Sequence, residues 1–135
     1  MNNIFTTELK KLYNVFTEMG NAVSDQIKQA TESYVNHDKA AAQALVQQDQ
    51  SINSNEVDLE KQALTLMTLQ QPVADDFRNV ITILKASSDL ERIGDHATGI
   101  ALETIRVKGL QRNDDVEAKI ASLTKTIRGM LTEAL

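Results

Sequence analysis

Two carboxylates, Glu91 and Asp95, lie four residues apart in a stretch with the apolar periodicity of a helix. Residues at this spacing leave the same face of a helix, so their side chains are neighbours. Two like charges there cost roughly a few tenths of a kcal/mol in an isolated helix, and a bound cation would reverse that cost. The pair is therefore a candidate metal site.

A second set of oxygen-bearing side chains precedes this pair. Asp49 and Asn53 repeat the spacing of four residues, and Glu56 and Glu60 follow seven and eleven residues after Asp49. Such oxygens suit hard or borderline cations such as Mg, Mn, Fe or Zn. One interpretation is a site for a divalent or ferric ion, and the alternative is a solvated acidic face without metal. The candidate ligands are Glu91, Asp95, Asp49, Asn53 and Glu56.

Basic side chains form a regular row later in the chain. Arg78, Lys85 and Arg92 recur every seven residues, and Arg106 follows after a further fourteen. The row is a candidate surface for an anion or an acidic partner. The alternative is a solvated face paired with its own Asp and Glu residues.

The usual signatures of an enzyme are missing from the sequence. The absence of cysteine excludes disulfides, thiolate metal sites and Cys nucleophiles. There is no Gly-rich phosphate loop and no Glu-x-x-His pair of the ferritin-like di-iron kind. His96 could ligate a metal beside Asp95 or lie partly buried, and His37 is interpreted as a turn residue. We predict a protein that is not an enzyme.

Composition restricts partners and location. A net charge of -5 and the lack of Trp argue against a dedicated nucleic-acid binder, which needs clustered cations and stacking platforms. No apolar run approaches the ~20 residues that span a bilayer. Residues 1–10 do not have the pattern of a signal peptide. We therefore expect a soluble cytoplasmic protein.

Apolar periodicity predicts four helices, over residues 6–36, 39–69, 73–108 and 113–135. Asp38 is a candidate cap of the second helix, Asn113 or Asp114 of the fourth, and Gly109 is a candidate C-cap of the third. Pro72 suits the first turn of the third helix. The predicted apolar face of the third helix comprises Phe77, Val80, Leu84, Leu90, Ile93, Ala97, Ile100 and Ile105.

Long helices joined by short turns predict an all-α fold, an antiparallel three-helix bundle with one additional C-terminal helix. Asp49 lies about twenty residues before the turn at residues 70–72, and Glu91 about twenty residues after it. In an antiparallel pair these distances place the two acidic sets at the same height. We therefore expect them to share one site.

The fourth predicted helix resembles the beginning of the first. A shift of 111 residues places Phe5, Leu9 and Leu12 on Val116, Ile120 and Leu123. Any two amphipathic helices can be aligned in this way, and that is the simpler interpretation. The other is that residues 1–110 form one bundle and residues 111–135 form the first helix of a second one. The apolar stripe of this helix allows two arrangements: the helix folds back on its own bundle as a fourth member, or it pairs with the same helix of another chain. We expect a homodimer.

Four segments together resemble the PhoU family, the regulatory accessory proteins of bacterial phosphate uptake. They are residues 36–39, residues 49–53, residues 70–78 and residues 90–97. The resemblance covers residues 5–108 and continues into the final helix. It implies two similar three-helix bundles, each with an acidic motif that binds metal clusters in some members. Glu91 and Asp95 match this motif, whereas Asn53 stands where the motif ends in an acid.

The resemblance also implies a function. PhoU proteins are negative regulators that couple the phosphate ABC transporter to a sensor histidine kinase, keeping the phosphate-starvation response off when phosphate is plentiful. Members often dimerise and work at the cytoplasmic face of the membrane without spanning it. Alternative functions are a metal-storage or metal-dependent enzyme bundle and a helical adaptor without metal.

Overall fold

The computed structural model describes residues 3–70, 74–107 and 113–135. They form four helices and, within these ranges, no strand. The helices are α1 (Asn3–Val35), α2 (Lys39–Gln70), α3 (Ala74–Arg106) and α4 (Asp114–Ala134). The predicted all-α fold is confirmed, and each helix lies within a few residues of its predicted position. Pro72 and Gly109 lie outside the described residues.

The core shows that α1, α2 and α3 pack as an up-down-up bundle. One cluster joins Phe5 near the start of α1 to Leu66 near the end of α2 and Val80 near the start of α3. The other joins Ala30 near the end of α1 to Ala42 and Ala101 at the corresponding ends of α2 and α3. Because each cluster combines opposite ends of consecutive helices, the three helices are antiparallel.

Side-chain capping begins two of the helices where the sequence predicts it. Oδ1 of Asp38 accepts a hydrogen bond from the backbone N–H of Ala41 at 3.0 Å. Oδ1 of Asn113 accepts one from the backbone N–H of Val116 at 3.2 Å. Each oxygen satisfies a backbone donor that a helix start leaves without an intrahelical acceptor. His37, in the turn between α1 and α2, has a φ of 55°, an uncommon conformation for a residue other than glycine.

The core-facing row of α3 differs from the predicted apolar face. The buried positions recur at alternating steps of three and four residues, so the helix presents one narrow stripe to α1 and α2. Ser87, Gly94 and Thr104 occupy three of these positions, which the apolar pattern alone did not indicate. Phe77, 47% exposed, and Ile100, 37% exposed, lie beside this stripe and not within it. The row comprises Val80, Ile83, Ser87, Leu90, Gly94, Ala97, Ala101 and Thr104.

The fourth helix packs against α1 through both polar and apolar side chains. The hydroxyls of Thr31 and Thr124 are 2.9 Å apart, and Nε of Arg128 donates to the backbone oxygen of Ser24 at 3.1 Å. Leu131 packs against the core, but α4 has no fully buried residue. The helix therefore folds back on its own bundle. Its assignment to a second repeat stays a prediction.

None of the helices in the described ranges has an apolar stretch long enough to cross a membrane.

Candidate functional site

The acidic side chains of α2 and α3 lie on neighbouring faces of these antiparallel helices. The charges of Asp49 and Glu56 act on Glu91, and the charge of Asp95 acts on Glu56. Asp49, Glu56 and Glu91 are half-buried, whereas Asp95 is exposed. The structure thus brings together the carboxylates that the sequence places at the same height. Asn53 lies in α2, but its side chain is outside the described part of the structure.

Partial burial and crowding raise the pKa of two of these carboxylates, Glu91 and Glu56. Partial burial, a hydrogen bond with Asp95 and the negative charges of Asp95, Glu56 and Asp49 raise the pKa of Glu91 to about 7. Partial burial and the neighbouring Glu60 raise the pKa of Glu56 above its ordinary value, and the charge of Asp95 adds to this effect. Both shifts favour the protonated form because burial and like charges disfavour a carboxylate. A positive charge near these carboxylates would reduce their mutual repulsion in the same way as a bound proton does.

A buried glutamine on α1 contacts this acidic face, and the sequence analysis missed it. Nε2 of Gln26 donates to Oδ1 of Asp49 at 3.2 Å and to Oγ1 of Thr98 at 2.9 Å. Gln26 is only 4% exposed. A signal was present in the sequence: Gln26 lies between Val23 and Ala30 on the apolar side of a long amphipathic helix. A polar residue at such a position needs partners from other helices.

The chemistry of this donor set fits an oxygen-preferring cation. It consists of carboxylates and one amide, with neither thiol nor imidazole. Within the described ranges, no group of three His, Asp or Glu side chains is already arranged to hold an ion. Oε1 of Gln26 is buried, and no group of the described residues forms a hydrogen bond with it. An unpartnered oxygen next to repelling carboxylates indicates a face that a cation would stabilise.

The basic row of α3 is exposed and only partly paired. Arg78 pairs weakly with Asp75 at 3.7 Å, and Arg106 pairs with Glu103 at 3.1 Å. Lys85 and Arg92 are exposed, and neither forms an ion pair within the described ranges. The structure thus places Lys85 and Arg92 where an acidic partner could reach them.

The two histidines have different surroundings. His96 is exposed and lines an apolar groove of 610 Å³ between α1, α3 and α4. Nε2 of His37 is 2.8 Å from Oε1 of Glu117, and this half-buried pair joins the α1–α2 turn to the start of α4. The interpretation of His37 as a turn residue is correct but incomplete, because the sequence did not indicate its contact with α4.

The raised pKa of Glu91 predicts how the metal-free protein responds to pH. The folded chain holds this proton up to about pH 7, whereas a free Glu side chain releases it near 4.5. Stability should therefore fall as pH rises between these two values, because the unfolded state binds fewer protons there. Glu91→Gln should remove this decrease and raise the melting temperature by a few degrees above pH 7.

Melting followed by circular dichroism between pH 4 and 8, in the presence of a chelator, measures this effect. The control is Glu18→Gln, the same chemical change at an exposed position of α1. If Glu91→Gln and Glu18→Gln show the same pH profile, the crowding at Glu91 has no effect on folding.

Comparison with known proteins identifies the family. A profile of the PhoU domain matches residues 16–104. A phosphate-specific transport system accessory protein PhoU homolog of Clostridium acetobutylicum is 31% identical over 133 residues, which cover 98% of this chain and 60% of the relative. The homolog of Streptococcus pneumoniae serotype 4 is 34% identical over 135 residues, which cover 100% of this chain and 62% of the relative. The homolog of Pseudomonas putida is 30% identical over 131 residues, covering 97% of this chain and 51% of the relative.

The chain thus spans about three-fifths of the length of the first two of these relatives. The matched region contains more than half of α1, all of α2, nearly all of α3 and the residues of the acidic face, among them Gln26, Asp49 and Glu91. A match over most of the chain, together with the helical bundle, shows that this protein belongs to the PhoU domain family.

Proposed function

We propose that the protein regulates phosphate transport negatively and takes part in phosphate-starvation signalling. The observation that carries this proposal is the PhoU domain match over residues 16–104, together with relatives named as phosphate-specific transport system accessory proteins. The proposed partners are the phosphate ABC transporter and a sensor histidine kinase, on the cytoplasmic side of the membrane. The proposed role is regulatory and not catalytic: the protein binds partners through its helix surfaces.

The proposal includes a metal ion at the acidic face as a structural or regulatory ligand. Glu91 and Asp95 on α3 would hold it, with Asp49 and Glu56 from α2. A bound cation supplies positive charge, which removes the repulsion between these carboxylates and stabilises one packing of α2 against α3. In this role, Glu91 releases the proton that its crowded surroundings otherwise favour. Metal binding would thus change the surface that the two helices present to partners.

The exposed basic residues of α3 are the proposed contact for an acidic segment of a partner. Lys85 and Arg92 have no ion pair within the described ranges, so they are available to another molecule. Arg78 and Asp75 form a weak ion pair whose side chains are 79% and 90% exposed. Such an exposed pair contributes little to stability. A carboxylate of a partner could replace Asp75 beside Arg78 with little loss of free energy.

We also propose a homodimer. The apolar side chains of α4 remain well exposed after the helix has packed on α1, among them Leu123 at 60% and Met130 at 65%. They continue into the groove with Ile100 and Val107 of α3, which are also exposed. A symmetric contact would bury the same patch on both copies.

Metal should stabilise the wild type and not a Glu91→Ala/Asp95→Ala variant. A ligand that binds only the folded state at 100 times its Kd adds about 2.7 kcal/mol of stability. Without metal, the variant should melt above the wild type because two crowded charges are gone. Melting with and without Mn, Fe or Zn measures both effects.

Glu18→Ala/Glu133→Ala, which removes two exposed acids elsewhere, is the matched control. Equal metal shifts in the wild type and the site variant would exclude this site.

Deletion of the gene should derepress phosphate uptake when phosphate is plentiful, because the proposed regulator would no longer restrain the transporter. Phosphate uptake and starvation-gene expression, measured in a strain without a second copy, test this expectation. Complementation with the wild type is the control. Unchanged uptake and expression after deletion would contradict a regulatory role.

The dimer should depend on α4. Light scattering gives the molar mass of the chain and of a version that ends at Gln111. We expect a dimer for the first and a monomer for the second, with the helical bundle retained according to circular dichroism. A monomeric full chain, or a dimer that survives the truncation, would show that α4 is not the dimer contact.

A further inference from the structure

The side-chain amide of Gln26 connects all three helices of the bundle beside the acidic face. From α1, Nε2 donates to Oδ1 of Asp49 on α2 at 3.2 Å. The same nitrogen donates to two groups of α3, Oγ1 of Thr98 at 2.9 Å and the backbone oxygen of Gly94 at 3.3 Å. One nearly buried side chain thus holds the carboxylate of Asp49 in a fixed position relative to α3.

The acceptors determine which way the amide faces. A carboxylate, such as that of Asp49, and the backbone oxygen of Gly94 accept hydrogen bonds, so the amide presents its NH2 group to them. Its oxygen, Oε1, is then left buried without a hydrogen-bond partner within the described ranges. Turning the amide over would place that oxygen against these two acceptors and remove the hydrogen bonds to Asp49 and Gly94. The unpartnered oxygen is therefore a consequence of the surrounding groups.

A cation would satisfy this oxygen where no donor does. Amide oxygens ligate hard divalent cations alongside carboxylates. Oε1 and Nε2 are bonded to the same carbon atom, so Oε1 lies within a few ångström of the Asp49 carboxylate. No three His, Asp or Glu side chains of the described residues are grouped so as to hold a metal ion, and an amide oxygen adds a ligand to those that the carboxylates supply. Gln26 has that oxygen.

We propose that Gln26 is both a positioning residue and a ligand of the acidic site. Its Nε2 holds Asp49 in place, and its Oε1 binds the cation together with the carboxylates of Asp49 and Glu91. This inference rests on the proposed metal-binding function and restricts its ligand. A set of carboxylate and amide oxygens prefers Mg²⁺ or Mn²⁺ over the softer ions. A neutral ligand also adds no charge to a face that already carries crowded carboxylates.

Two substitutions of Gln26 test the proposal by their effect on Mn²⁺ binding. Gln26→Met keeps the length of the side chain and removes both polar atoms. We expect it to weaken the affinity for Mn²⁺ at least tenfold, measured by calorimetry, and to reduce the Mn²⁺-induced shift in melting temperature. Gln29→Met makes the same change at an exposed position of α1 and should behave as the wild type.

Gln26→Glu distinguishes a metal-ligating role of residue 26 from a purely structural one. It keeps an oxygen at this position, but it removes the NH2 donor and adds a negative charge beside Asp49. We expect this variant to melt below the wild type in chelator and to regain stability with Mn²⁺, with a larger metal-induced shift than the wild type. A structural role alone predicts the same loss of stability with and without metal.

The outcomes distinguish failure of this inference from failure of the metal site. Equal Mn²⁺ affinities and shifts in the wild type and both Gln26 variants would overturn the role of Gln26. The site itself would still stand if Glu91→Ala/Asp95→Ala abolished the shift in the same experiment. A wild type that shows no Mn²⁺ or Mg²⁺ binding would overturn both. If Gln26→Met does not fold, the shift of Gln26→Glu decides: a shift no larger than that of the wild type counts against the proposal.

Discussion

Burial of the apolar side of α1 between α2 and α3 is the interaction on which the other features depend. Phe5, Leu12, Met19 and Val23 are almost completely buried along this side. The first two belong to one core cluster and the last two to the other. Removing such side chains from water drives the packing of helices whose own propensity would leave them marginal. Once this side is buried, the rotation of α1 is determined, and Gln26, on the same side, must enter the interior with it.

The same packing imposes an electrostatic cost. Rotating α2 and α3 so that their apolar residues face α1 brings Asp49 and Glu56 to Glu91 and Asp95 at the junction of the two helices. Partial burial and like charges then raise the pKa of Glu91 to about 7. Hydrophobic packing over three long helices is larger than this local repulsion, so the fold tolerates it. The raised pKa of Glu91 makes this face sensitive to protons, and the proposed function adds a response to cations.

The attachment of α4 has a different character. The other three helices share an apolar core, whereas α4 has no fully buried residue. Its polar contacts are the Thr31–Thr124 contact, the bonds of Arg128 to Ser24 and the pair of His37 with Glu117. Polar contacts at a partly exposed surface contribute less than burial of apolar area. The bundle therefore does not need α4 for its core. This leaves the apolar side chains of α4 free for a contact with another surface.

Family, fold class and most helix ends were predictable from the sequence because they depend on local patterns. Apolar spacing located the four helices, Asp38 and Asn113 marked two helix starts, and the acidic and turn segments indicated the PhoU family. Equal distances from one turn were sufficient to predict that the carboxylates of α2 and α3 meet. Antiparallel geometry converts sequence distance into height along the bundle.

Only the tertiary structure decided which residues lie beside those carboxylates. The apolar pattern of α3 fits two rotations of the helix about its axis that differ by about one residue. Phe77 and Ile100 were therefore assigned to the core, which contains Ser87, Gly94 and Thr104 instead. The contacts of Gln26 with Asp49, Gly94 and Thr98 join three helices. They also determine that Oε1 of Gln26 has no hydrogen-bond partner among the described residues. The pairing of His37 with Glu117 joins residues 80 positions apart. Such contacts depend on how helices are rotated and docked in space, and no local spacing encodes them.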